Sequence, residues 1–440
     1  MPSERITIAR LLGVVRKNRD FRRLYSANAV SQLGDWFNVV ALYSLLLELT
    51  GTGKAIALVL LTRLLPLFIV GPPAGVLADR VSRRSILIVS DLLRAGLVLC
   101  LLFVRSPGQV WLAYLVITAH AVVSAFFEPA QAALFPSLVP PEDLVLAGTL
   151  ENSLWSMTLA VGSALGGVAL ALVGRDLAFL LDAASFLASA ALLRGLPDSR
   201  TRRDLQALEL TEEQKDPQAW SNLLGLADLR EGARYVVTHT RVRAIILIKA
   251  GFGLTLGGVL VLLPFFGERV FQHGNGAGIA MLWTARGVGS FLGPFAAFRL
   301  VGHEGRALRH GIGWAFVLVL VCYSAFALSP GIALASVALA LANAGGSVLW
   351  TYGSALLQQI VPDQIRGRVA AAEMGCMTLC MSSSTLLVGH LLDRGLPPRA
   401  LMAGCALVVL LPIAFWLSVQ GVFRRAEAVQ HADSISTAAQ

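Results

Sequence analysis

The sequence predicts an all-α integral membrane protein, with twelve transmembrane helices in two parallel-repeat six-helix bundles. Three observations carry that expectation. Hydrophobic residues make up 56% of the 440 and charged residues only 14%, where soluble domains run at roughly a quarter charged. The charge that remains is gathered into connections between long apolar runs. Finally, two short patterns recur at one and the same spacing, as an internal duplication would leave them.

The elements follow in order. A helix crossing a bilayer needs about 20 apolar residues. Apolar segments of that size lie at about 24–49, 54–74, 85–104, 109–127, 146–173, 177–196, 243–266, 277–299, 311–329, 331–356, 369–391 and 398–419. They divide the chain into a tail (1–23), a first bundle (24–196), a linker (197–241), a second bundle (242–419) and a second tail (420–440). The linker is the long polar stretch, with Asp204, Glu209, Glu212, Glu213 and Lys215. It ends in an amphipathic run from Trp220, read as a helix lying on the membrane surface. Residues before Leu24 are charged and lack the apolar core of a cleavable signal, so the first span is expected to act as the insertion signal.

The net charge of +9 invites a nucleic-acid reading, and its placement argues against one. Arg10, Arg16, Lys17, Arg19, Arg22 and Arg23 precede the first span. Arg80, Arg83 and Arg84 fill the second connection, Arg299, Arg306 and Arg309 the eighth, Arg366 and Arg368 the tenth, and Arg424 and Arg425 follow the last span. All fall on one side of the membrane, and the positive-inside rule makes that side cytoplasmic, with both termini. The partner this placement leads to is membrane lipid, with no nucleic acid, and the chain is expected to act as a monomer. Cys100, Cys322, Cys376, Cys380 and Cys405 all fall inside spans without a histidine pair and read as packing residues, so no metal is expected.

The repeat is explicit. Gly71-Pro72-Pro73-Ala74-Gly75 is answered by Gly293-Pro294-Phe295-Ala296-Ala297, and Leu138-Val139-Pro140 by Ile360-Val361-Pro362, both 222 residues later. Six spans therefore map onto six in the same orientation.

The second connection, Gly75-Val76-Leu77-Ala78-Asp79-Arg80-Val81-Ser82-Arg83-Arg84, resembles the signature loop of the major facilitator superfamily of secondary transporters. Phe21–Asp35, Phe127–Pro136, Leu181–Leu187 and Val361–Val369 resemble, within it, the drug:proton antiporter group that includes macrolide and enterobactin exporters. The resemblance covers nearly the whole chain apart from its tails. It implies a secondary active exporter of small amphipathic compounds driven by the proton gradient, in a bacterial inner membrane. It also implies no enzymatic activity and no cofactor, and no P-loop lysine pattern contradicts this. A lysophospholipid or other lipid translocator, or a dedicated metabolite transporter of the same fold, is the alternative.

Ionisable residues inside spans cost about 2.5–3.5 kcal/mol each on insertion scales and so ask for a role. Asp35, in the first span, is either a proton-coupling carboxylate or an interior hydrogen-bonding one, and His120, in the fourth, either a proton relay or a packing residue. Asp91, Arg94 and Asp182 lie in spans that the resemblance makes peripheral, and read as packing polar groups. Lys249 and Arg286 bring positive charge to the second half, as candidates to face a substrate or the acid of the first half. Trp36, Phe37, Phe252 and Trp350 are candidates to line the cavity, or to anchor and pack. The resemblance implies that Gly75, Asp79, Arg80, Arg83, Arg84 and Glu128 form a cytoplasmic gate, Asp79 capping the eleventh helix around residues 368–371. Gly162, Gly166 and Gly167 in the fifth span, and Gly289 and Gly293 in the eighth, are spaced for close helix approach. Ser163 stands where the antiporter motif of the resembled group has proline.

Overall fold

The computed structural model describes residues 8–197, 226–302 and 305–423, and the regular elements among them are all helical. In chain order they are α1 (Ile8–Lys17), α2 (Arg19–Thr50), α3 (Gly53–Arg80), α4 (Arg83–Cys100), α5 (Val110–Leu134), α6 (Leu144–Leu193) and α7 (Leu226–Thr238). Then come α8 (Thr240–Phe265), α9 (Ala277–Leu300), α10 (Gly305–Leu328), α11 (Ile332–Ile360), α12 (Arg366–Asp393) and α13 (Pro398–Val408), with helix continuing over 410–423. The expected linker helix is present from Leu226; the acidic stretch and Trp220 lie outside the described residues.

Boundaries follow local chemistry. Gly51 closes α2 in the left-handed region at φ 65°, its N–H returning to the Leu47 carbonyl at 3.0 Å. Thr52 and Ser82 open α3 and α4 by accepting the N–H of Ala55 and Ser85 on their hydroxyls.

Nine stretches among the described residues are long and apolar enough to cross a bilayer. One of them, Leu146–Leu193, runs 48 residues and breaks at Gly174, whose φ of 80° and ψ of 174° are open to glycine without strain. α2 and α9 stand outside the nine. Asp20, Arg22, Arg23, Asn28, Gln32, Asp35 and Asn38 dilute the apolar character of the first, and Arg286, Ser290 and Arg299 that of the second. The apolar surface faces outward, as lipid requires: Leu172 is 77%, Trp314 70% and Leu328 81% exposed.

The spacing of 222 residues recurs in the helix starts. α11 begins at Ile332 against α5 at Val110, and α12 at Arg366 against α6 at Leu144. Pro140 and Pro362 hold nearly the same backbone angles, and each leads through one 3₁₀ turn into a long helix.

The chain forms two compact units. Unit 1 comprises Met1–Leu226 and Val261–Phe291, and unit 2 comprises Ala227–Leu260 and Leu292–Gln440. In unit 1 a core of Leu24, Ala27, Leu87, Phe127, Leu134 and Leu193 ties α2, α4, α5 and α6 together at one end. A neighbouring cluster of Phe21, Val139 and Ala147 receives Val14 from the amphipathic α1.

Candidate functional site

Unit 1 brings charged and polar side chains of five helices into one interior cluster. α2 supplies Asp35 and Asn38, α3 Arg63, α4 Asp91 and Arg94, α5 His120, and the second part of α6 Asp182. His120 Nε2 stands 3.6 Å from an Asp35 carboxylate oxygen, beyond hydrogen-bond length. Asp91 and Arg94 form a buried ion pair one turn apart on α4, and the Arg94 guanidinium lies over the rings of Phe127 (4.2 Å) and Phe186 (4.6 Å). Asn38 donates to Asp182 at 2.7 Å. Arg63 and Arg94 lie within electrostatic reach of both Asp35 and Asp182.

Access differs sharply within this cluster. The side chain of Asp35 is 29% exposed and that of His120 15%, whereas Asp91 and Asp182 are wholly buried. An accessible carboxylate with an imidazole one short movement away can take up and release a proton; a sealed one cannot exchange with water directly.

Glycine makes the cluster possible. A Cβ at Gly34 would overlap the Ser185 hydroxyl and lie 2.6 Å from an Asp182 oxygen, so only glycine lets α2 and α6 meet there. Farther along the same pair of helices, Cβ atoms at Gly162 and Gly166 would meet Trp36 and Phe37 at 2.8 and 3.0 Å. Gly167 packs instead on Ala280 of α9, where a Cβ would overlap that methyl. Gly293 meets Ala344 and Ser347 of α11 in unit 2. α9 reaches α6 at Gly287, against Ala160, while Gly289 is buried two residues on.

An aromatic cluster lies beside these crossings. Trp36 is 6.0 Å from Trp155 and 5.6 Å from Trp283, which stacks on Tyr43 at 5.7 Å. The Arg286 guanidinium sits over Trp283 (4.9 Å) and Trp155 (5.7 Å). Nearby, Pro264 is followed by a π-helical turn, Phe266–Val270. Its Glu268 accepts the Gly276 N–H at 2.7 Å and the Ser44 hydroxyl at 3.3 Å, fixing the turn to α2.

The basic connection is partly visible. Gly75, Asp79 and Arg80 run in the last turns of α3, and their side chains lie outside the described residues. Arg83 donates to the Ala133 carbonyl at 3.2 Å and Arg84 to that of Arg194, so both tie α4 to backbone at the ends of α5 and α6. Glu128 is exposed on α5. Glu151 of α6, which no sequence pattern singled out, accepts from Asn28 at 3.5 Å and Gln131 at 3.3 Å.

In unit 2, Lys249 of α8 pairs with Glu373 of α12, donates to Ser354 of α11 at 2.9 Å and lies 4.0 Å from the centre of the Trp350 ring. The lysine is 3% and the Glu373 side chain 11% exposed, so this is a closed and fully answered charge. Phe252 is buried against Gly346. Glu373 follows the basic residues of its loop closely and has no sequence mark of its own. The intramembrane lysine in the same half is the signal that points to an acidic partner.

Bilayer-length helices that enclose paired and half-paired charges define a polytopic membrane transporter. Residues 15–437 match the family described as transmembrane secretion effector, and the chain belongs to that family of the major facilitator superfamily. It is 24% identical over 419 residues to the uncharacterized MFS-type transporter YfiS of Bacillus subtilis, covering 90% of this chain and 92% of that protein. It is 28% identical to YkuC of the same organism, over 57% of each chain. The match to macrolide efflux protein A of Streptococcus pyogenes is 31% identical over 34% of this chain and 37% of that one. Among solved structures, the nucleoside transporter NupG superposes with a TM-score of 0.67 at 13% identity, covering 90% of this chain and 98% of that one. A bacterial homologue of the human lysosomal transporter Spinster gives 0.69 at 14% identity, covering 93% and 98%.

Proposed function

We propose that the chain exports small amphipathic compounds in exchange for protons by alternating access, as a twelve-helix, two-repeat transporter of the bacterial inner membrane with cytoplasmic termini. The observation that carries this is the Asp35–His120 contact: an accessible carboxylate facing an imidazole inside a membrane-spanning bundle. Asp35 is the exchanging group and His120 its relay. The macrolide efflux relatives support the export direction and the substrate class, and the 222-residue recurrence of helix starts supports the duplication. Trp36, Phe37, Arg286 and Trp155 offer an aromatic, cationic lining for an amphipathic guest, as Lys249, Phe252 and Trp350 do in unit 2. Gly75, Asp79, Arg80, Arg83, Arg84 and Glu128 remain the proposed cytoplasmic gate.

The test is a susceptibility panel in an efflux-deficient bacterial host, comparing wild type, Asp35→Asn and empty vector at matched membrane expression. Macrolides, dyes, tetracyclines and catecholate siderophores make up the panel. Resistance from the wild type that vanishes with Asp35→Asn supports the reading; resistance that survives the substitution removes Asp35 from coupling. No resistance to any compound turns the search to lipid or metabolite cargo.

A further inference from the structure

We infer that Asp182 is a second proton-binding residue, holding within the bundle the proton that the charge balance of the Asp35 cluster requires. The inference rests on the reading of Asp35 as the exchanging carboxyl and extends it to a residue whose place in the sequence suggested only packing.

The interior of the cluster contains three carboxyls, Asp35, Asp91 and Asp182, and two guanidiniums, Arg63 and Arg94; Glu128, which also reaches Arg94, is exposed to solvent. An unbalanced charge sealed among membrane helices is costly, so the cluster carries one further proton. His120 is a poor place for it. Both guanidiniums lie within electrostatic reach of its ring, and the ring stands 3.6 Å from Asp35 without closing to the 2.7–2.9 Å or so of a charge-assisted bond. Asp91 has its own counter-ion, Arg94, one turn along α4. Asp35 is open enough to be solvated as a carboxylate.

Asp182 is as buried as Asp91 but has no guanidinium bonded to it among the described residues. It is 0% exposed, and one oxygen accepts from the neutral amide of Asn38 at 2.7 Å. The other oxygen has no hydrogen-bond partner among the described residues. That oxygen lies against Gly34, the residue beside Asp35, with the Ser185 hydroxyl at the same spot and turned to the Asp182 carbonyl at 2.7 Å. A carboxyl with one amide donor, one bare oxygen and a like charge nearby is what a protonated aspartic acid looks like. Asp35 and Asp182 then titrate as a pair sharing protons, the accessible member exchanging with water and the sealed one holding the reserve.

Infrared difference spectroscopy of the purified full-length protein in lipid nanodiscs, with no substrate added, tests this. A protonated-carboxyl C=O stretch is expected in wild type and is lost in Asp182→Asn. Should Asp182→Asn fail to fold, Asn38→Ala keeps the carboxyl and removes its donor, so the same band moves to higher frequency. A band unchanged in Asp182→Asn or Asn38→Ala, or absent from wild type, overturns the proposal. Because the spectrum needs no cargo, an unsuccessful export assay would not be mistaken for failure of this assignment.

Discussion

The two buried charge groups of this protein solve one problem in opposite ways. In unit 2, Lys249 has an ionic partner, a hydroxyl and a ring face, and Glu373 is drawn from a neighbouring helix to complete the set. In unit 1, Asp35 and His120 stop 3.6 Å apart, and Asp182 keeps one oxygen unanswered. A satisfied buried pair holds a geometry; a partly satisfied network is where a proton can move with little rearrangement. The contrast fits a structural role for Lys249–Glu373, between α8 and α12, and the proton exchange proposed above for the Asp35 cluster.

Removing the unit 2 counter-ion is expected to have the largest effect on stability. Glu373→Gln leaves the Lys249 ammonium buried without its carboxylate, a situation that costs about 3–5 kcal/mol. Thermal unfolding in detergent would read this, and the double variant with Lys249→Met should recover most of the loss, since neither charge then remains. An unshifted Tm in Glu373→Gln would mean that the pair is not closed, and the contrast between the regions would collapse.

Glycines beside each group separate the two by a smaller step. Gly34→Ala would force a methyl into the Ser185 hydroxyl and within 2.6 Å of Asp182, so α2 must move off α6. Overpacking of this kind costs about 1–3 kcal/mol. Gly353→Ala brings its methyl to 3.1 Å from a carbon of the flexible Lys249 stem, which can yield, and should cost below about 1 kcal/mol. Parallel unfolding of the two variants sharpens the comparison, because equal losses would contradict a tight crossing at Gly34.

How much of this was readable beforehand depends on the range of the interaction. The apolar runs and the break at Gly174 are local properties, and hydropathy with one glycine is enough to locate them. The recurrence around Pro140 and Pro362 is also local, since each proline sets its own backbone and starts a 3₁₀ turn. Asp35 and His120 stood out singly as charges in apolar surroundings. Their meeting did not, because α2 and α5 are joined by no pattern that a single chain records. The same holds for Glu373 with Lys249, for Arg84 with the Arg194 carbonyl, and for Gly287 with Ala160 of α6. Small-residue spacing announces a close approach somewhere on a helix face; which residue touches depends on the rotation of the partner.

The smallest stability effect belongs to Asp35→Asn, and that is what makes it informative. Asp35 is 29% exposed and makes no closed bond to His120, so the amide loses only a screened attraction, worth less than about 1 kcal/mol. Its Tm should stay within error of wild type while proton-driven export in proteoliposomes disappears. If export and stability fell together, Asp35 would be a packing residue like Glu373, and the division between a charge group that holds and one that works would have to be abandoned. If stability held while export lost only its dependence on the pH gradient, the carboxyl would be the coupling group and the substrate would be bound elsewhere, leaving the aromatic residues around Arg286 as the next to replace.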